Sequence, residues 1–157
     1  MTLENNPNSY KRLKTEWWKE EDWILPPYKN DIEPSIFKII KDFVENKIIQ
    51  NNKCLKQSKK NKLQVITFEV EHPDEDEYIF QYTHILLNPI QVRDGVPDST
   101  PDVILHIDYY DLIRILKGEI DLINILMVKR GYLIGDVSPI SNFKDIIDIS
   151  NQRDTKK

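Results

Sequence analysis

Glycine, cysteine and methionine are scarce in this chain: four, one and two among 157 residues. So few glycines leave little for a phosphate-cradling loop, and no GxGxxG, Walker, GxSxG or HExxH pattern occurs. The single thiol, Cys54, excludes an intramolecular disulfide and a cysteine-based zinc site. It is read as a lone surface thiol beside lysines. No apolar run approaches the roughly 20 residues that a membrane span needs. The stretch MTLENNPNSYKRLK lacks the apolar core of a secretory signal, and Asp154-Thr155-Lys156-Lys157 is no peroxisomal address. The expected location is therefore cytoplasmic. With a net charge of −4 there is no concentrated basic face for phosphate contacts, so nucleic acid is not an expected partner.

What is present is a globular composition, 39% hydrophobic and 31% charged, at a length suited to one domain. A domain of this size buries about 68–70% of its unfolded surface, enough for one real core. Residues 1–33 read as an extension, 34–150 as the domain and 151–157 as a polar, frayed tail. All three tryptophans, Trp17, Trp18 and Trp23, fall in the extension. A charged helix is predicted from Ser9 to about Asp22, with Leu13, Trp17 and Trp18 near one side. Trp23-Ile24-Leu25 then meets Pro26-Pro27, which ends any helix. The segment reads as a strap anchored by its tryptophans. A lid, membrane-interface or partner-binding role is the functional alternative, since Trp suits half-wet surfaces.

From Pro34, a good first-turn residue, Ile36, Phe37, Ile40, Phe43, Val44 and Ile48 recur at helical spacing to about Gln50. Lys53, Lys56, Lys59, Lys60 and Lys62 follow as a basic connector, read as a solvated loop with anionic lipid as the alternative contact. Leu63–Glu71 and Glu77–Leu87 alternate like the two strands of a hairpin. Ile90-Gln91-Val92 is a candidate third strand before the Asp94-Gly95 turn. Asp102–Ile107 places Val103, Leu105 and Ile107 on one face. Asp108 is then a good N-cap, Asp111 falls at a capping-box position, and the helix Tyr109–Lys117 ends at Gly118. Asp121 caps another apolar helix, Tyr132-Leu133-Ile134 forms the last strand, and Ile140, Phe143, Ile146 and Ile147 mark a terminal amphipathic helix.

No catalytic constellation emerges. His84 and His106 lie in strands and could meet across a sheet, while His72 sits in a turn. The acids Glu71, Asp74, Glu75 and Asp76 lack calcium-loop spacing and read as a solvated turn. Asp108 and Asp111 are accounted for by helix capping. The expectation is a protein without catalysis, resident metal or cofactor.

The segment Asp102–Ile149 carries a resemblance. Pro101-Asp102-Val103 followed by alternation, then Asp108, a Leu-rich helix and Gly118, then Asp121, a second apolar helix and Gly135-Asp136, resembles the sterol carrier protein 2 family. The match spans roughly Ser35 to Ile149 and is most specific from Pro101 to Asp136. The family has a small residue and a glycine before its last strand, where this chain has Val128-Lys129 and a later Gly131.

The resemblance implies an α+β fold: about five strands in a mostly antiparallel sheet, helices mainly on one face, and here an added N-terminal strap. It also implies a hydrophobic tunnel between sheet and helices. The expected function is non-covalent binding or carriage of a lipid: an acyl chain, isoprenoid or sterol-like molecule. Candidate lipid-binding residues are Ile40, Phe43 and Val44 on the first helix and Leu112, Ile115 and Leu116 on the second. Leu122, Ile125, Leu126 and Met127 complete the set, with Met127 as an adaptable wall residue. Transient contact with a membrane surface and a homodimer are the further partner expectations. The alternative function is a protein-interaction or dimerisation module with a filled core.

Overall fold

The computed structural model describes residues 13–28, 32–75 and 79–152. Five strands form one sheet in the order β3-β2-β1-β4-β5. They are β1 Val65–Glu71, β2 Phe80–Leu87, β3 Ile90–Asp94, β4 Val103–Asp108 and β5 Tyr132–Gly135. β1, β2 and β3 pair antiparallel, β4 returns parallel to β1, and β5 closes antiparallel on β4. The α+β expectation is met, with one parallel pair at the sheet's centre.

Strand alternation builds the core. Ile66, Phe68 and Val70 of β1 share a face with Thr83, Ile85 and Leu87 of β2 and with Val103, Leu105 and Ile107 of β4. Each of these is at most 1% exposed. The opposite face carries the row Tyr82, Glu69, His106 and Tyr132.

Helices cover the apolar face. Ser35 caps α1 (Ile36–Phe43) by accepting from Lys38 N–H at 3.2 Å. The single helix predicted to Gln50 is interrupted: a π turn over Val44–Ile48 follows, with Ile49 N–H donating to Val44 C=O at 2.8 Å. The wider turn keeps both Val44 and Ile48 buried.

Lys53, Lys56 and Lys59 of the basic connector lie on a helix, α2 (Asn52–Lys59), rather than in a loop, and Lys60 and Lys62 in the connection that follows it. Asn51 caps it; the small residues Cys54 and Ser58 are buried, and Leu55 is half-buried against the core. With so little apolar surface, its pattern escapes a periodicity search. Cys54 is accordingly buried rather than at the surface, and burial pushes its thiol up to about 11.

α3 (Tyr109–Leu116) starts at Asp108, whose Oδ1 accepts from Asp111 N–H at 2.8 Å. α4 (Leu122–Met127) starts at the Asp121 cap, and α5 (Ser138–Ser150) lays Phe143 edge-on against Phe68 at 5.8 Å. Gly131 settles how the last strand joins. A Cβ there would sit 2.7 Å from the His106 carbonyl oxygen, so only glycine lets the turn approach β4 this closely.

The strap lies on the same core. Of the expected Ser9–Asp22 helix, residues 9–12 fall outside the described residues, and the rest forms only a short 3-10 turn, Trp17–Glu20. Glu16 at φ 56° interrupts any longer helix. Trp17, Trp18 and Trp23 are all at most 5% exposed. Trp23 meets Phe43 edge-on at 5.5 Å and Trp17 meets Tyr109 at 6.3 Å. Polar ties fix the path: Asn46 Nδ2 donates to Trp23 C=O, Lys38 Nζ to Leu25 C=O, and Lys117 pairs with Glu21.

Candidate hydrophobic site between sheet and helices

The candidate lipid residues divide by burial. Ile40, Phe43, Val44, Leu112, Ile115, Leu116, Leu122 and Ile125 all join one contiguous hydrophobic core. Leu126 packs against that core from its edge. Met127 does not join it: the side chain is 73% exposed. The reason is helical phase. α4 turns Leu122 and Ile125, three apart, toward the core, and Met127 then falls on the opposite side. The expected wall residue is a surface residue.

Two hollows are lined in part by candidate residues. One, of about 100 Å³, lies between α3, α4 and α5 and is lined by Ile115, Ile120, Leu122 and Ile147, with Gly118, Asp121, Lys144 and Asp148 around it. The other, of about 250 Å³, runs between the π turn and β3, lined by Val44, Ile49, Ile90 and Val92 with Glu45, Gln91 and Arg93. Candidate residues thus reach both hollows, Ile115 and Leu122 the first and Val44 the second. An aliphatic cavity of about 150 Å³ accepts a benzene-sized molecule, so the larger hollow has room for a small apolar group. Ile147, Ile49, Ile90 and Val92 were not among the candidates. Ile147 was legible as the inward face of the terminal helix. The β3 residues were not, because their neighbour across the groove is far away in sequence.

Polar groups close to the core are mostly committed to structure. Asp111 is completely buried, and its Oδ1 accepts from Arg130 Nη2 at 2.6 Å. Burial and the adjacent Asp108 push its carboxyl up to about 7, against the opposing pull of Arg130. The Asp111 carboxyl thus ties the α4–β5 turn to α3, while its backbone N–H is the group that Asp108 caps. Tyr109 donates to Pro34 C=O at 2.7 Å, and burial raises its hydroxyl strongly.

The histidines do not converge. His84 and His106 flank β1 on β2 and β4, opposite Thr67 and Glu69. His84 Nδ1 contacts Gly95 C=O at 2.9 Å. His106 lies between two carboxylates, with Nδ1 2.8 Å from Glu69 Oε1 and Nε2 3.2 Å from Glu71 Oε1. Its ring stacks on Tyr132 at 4.5 Å. His72 is buried against Glu33 at 2.7 Å and the Tyr109 ring at 4.6 Å. Among the described residues no group of three His, Cys, Asp or Glu side chains is placed to hold a metal. No helix of the described residues is long and apolar enough to cross a membrane.

No family model and no curated protein sequence matches the chain. Solved structures do. Sterol carrier protein 2 from Yarrowia lipolytica, in its apo form, matches with a TM-score of 0.55 and 17% identity, over 75% of this chain and 91% of that one. The sterol carrier protein domain 2 of Helicoverpa armigera matches with a TM-score of 0.55 and 14% identity, over 78% and 90%. The UbiJ-SCP2 ubiquinone synthesis protein matches with a TM-score of 0.59 and 13% identity, over 73% and 95%. The sheet order, the parallel β1–β4 pair and the helices on the apolar face thus come together in one known architecture: this chain has the sterol carrier protein 2 fold.

Proposed function

We propose that the protein binds a hydrophobic molecule reversibly and non-covalently, in the layer between the sheet and its covering helices. One observation supports this most: the sterol carrier fold is combined here with a layer of aliphatic side chains that borders two surface hollows. Binding is driven by burial. Each methylene removed from water contributes about 0.8 kcal/mol, set against the cost of ordering ligand and protein. An acyl chain, isoprenoid or sterol-like molecule fits such a layer, with Ile40, Phe43, Val44, Leu112, Ile115, Leu116, Leu122, Ile125 and Leu126 as its walls. No catalytic role is assigned to any residue. Loading and release would involve brief contact with a membrane surface.

Native mass spectrometry of freshly purified protein tests the reading. A co-purifying lipid, or saturable binding of a fluorescent acyl probe, is the expected result. A clean dimer without adduct and without probe binding would instead favour an interaction module with a filled core.

A further inference from the structure

The smaller hollow, between α3, α4 and α5, has an unusual mouth. Its walls are aliphatic, with Ile115, Leu122 and Ile147 continuing into the core. Its rim is charged and unbalanced. Lys144 Nζ lies 2.7 Å from Asp148 Oδ2 and 3.5 Å from Asp121 Oδ2, so one ammonium spans two carboxylates across the gap between α5 and the start of α4. This ammonium is already shared between two acids. The rim therefore holds two carboxylates against one ammonium, and an incoming anion must compete with both for it.

An amphiphile whose chain passes by way of this hollow into the aliphatic layer leaves its polar head at the rim. The head then meets the charge that resides there. A carboxylate head faces a negative surplus and can recruit Lys144 only by breaking its bridges to Asp121 and Asp148. A hydroxyl head faces no such repulsion, and it can donate a hydrogen bond to the rim carboxylates.

We infer that this rim selects the ligand by charge, admitting hydrophobic molecules with an uncharged hydroxyl head and disfavouring carboxylates of the same length. The inference rests on the binding function proposed above. Asp121 and Asp148 are then specificity-determining residues, although neither touches the apolar chain.

The test compares two fluorescent probes of equal chain length, a long-chain alcohol and the corresponding carboxylate, on the full chain at low ionic strength. Asp121→Asn and Asp148→Asn are made singly and together. Asn is as good a helix cap as Asp, and Asp148 lies on the exposed side of α5, so both variants keep the fold. The parent should bind the alcohol more tightly. The double variant should gain carboxylate affinity by about threefold or more, the scale of exposed charge pairs, and alcohol affinity should change less, because the Asn amide oxygens still accept from the hydroxyl. Added salt should narrow the gap in the parent. A parent that prefers the carboxylate, or a gap that the double variant leaves unchanged, overturns the inference alone. A parent that binds neither probe overturns it together with the binding function.

Discussion

Arg130 Nη2 and Asp111 Oδ1 stand 2.6 Å apart, the carboxyl wholly buried at the start of α3 and the guanidinium reaching in from the turn after α4. Asp111 Oδ2 and Arg130 Nε are buried without a hydrogen-bond partner. Removing one partner of such a pair strands the other. Arg130→Met should destabilise the protein by about 3–5 kcal/mol in urea unfolding. Pairing it with Asp111→Asn should recover much of that loss. A double variant as unstable as the single would show that Arg130 acts through packing instead.

The same carboxyl makes stability depend on pH. Its folded-state value is raised to about 7, chiefly by burial, from the ordinary carboxylate range. A raised value means that the folded state holds a proton the unfolded state has released. The stabilisation is fully present below the unfolded value and is lost as pH rises through about 7. The urea midpoint should therefore decline between mildly acidic and neutral pH. Asp111→Asn should flatten that decline, and an unchanged slope in the variant would rule Asp111 out as its source.

The tryptophans yield a direct spectroscopic expectation. All three rings are at most 5% exposed, so emission should be blue-shifted and iodide should quench it poorly. Trp23→Ala removes the ring packed on Phe43 and should cost about 3–5 kcal/mol, as large-to-small core changes do. Solvent-like emission with fast quenching would mean that the strap does not pack as described.

Two glycine substitutions separate sterics from backbone strain. Gly131→Ala places a methyl against the His106 carbonyl at 2.7 Å and should cost about 1–3 kcal/mol by overpacking the β4–β5 junction. Gly95→Ala meets nothing within 4 Å but sits at φ 78°, and should cost about 1–2 kcal/mol from the left-handed backbone alone. Amide exchange should speed up at β5 in the first variant and stay unchanged there in the second.

The parts of the fold that were legible in the sequence have dense, regular signals. α1 repeats isoleucine and phenylalanine on one side, and Asp108, Gly118 and Asp121 mark helix ends at the places where the chain caps them. α2 was not legible because its fully buried residues are a cysteine and a serine, Ser58 bonding Leu87 C=O on a distant strand, with Leu55 only half-buried beside them. Pairing across space also hid the Arg130–Asp111 tie and the groove beside β3. Met127 was misplaced for a different reason. In a helix as short as α4, nearly every position is apolar, so periodicity does not say which side faces inward.

The parallel pairing of β1 with β4 bears on how the chain emerges from the ribosome. β1 acquires β2 as soon as the first hairpin is made, but its other edge waits for β4, and β4 waits in turn for β5. Until then a nascent chain carries an open, aliphatic strand edge with no neighbour. Pairings this distant in sequence form slowly, and exposed edges of this kind are where growing chains associate wrongly. Chaperone demand during synthesis should thus be set by the interval between translating Glu71 and Gly135, and slowing translation in that interval should raise the aggregated fraction.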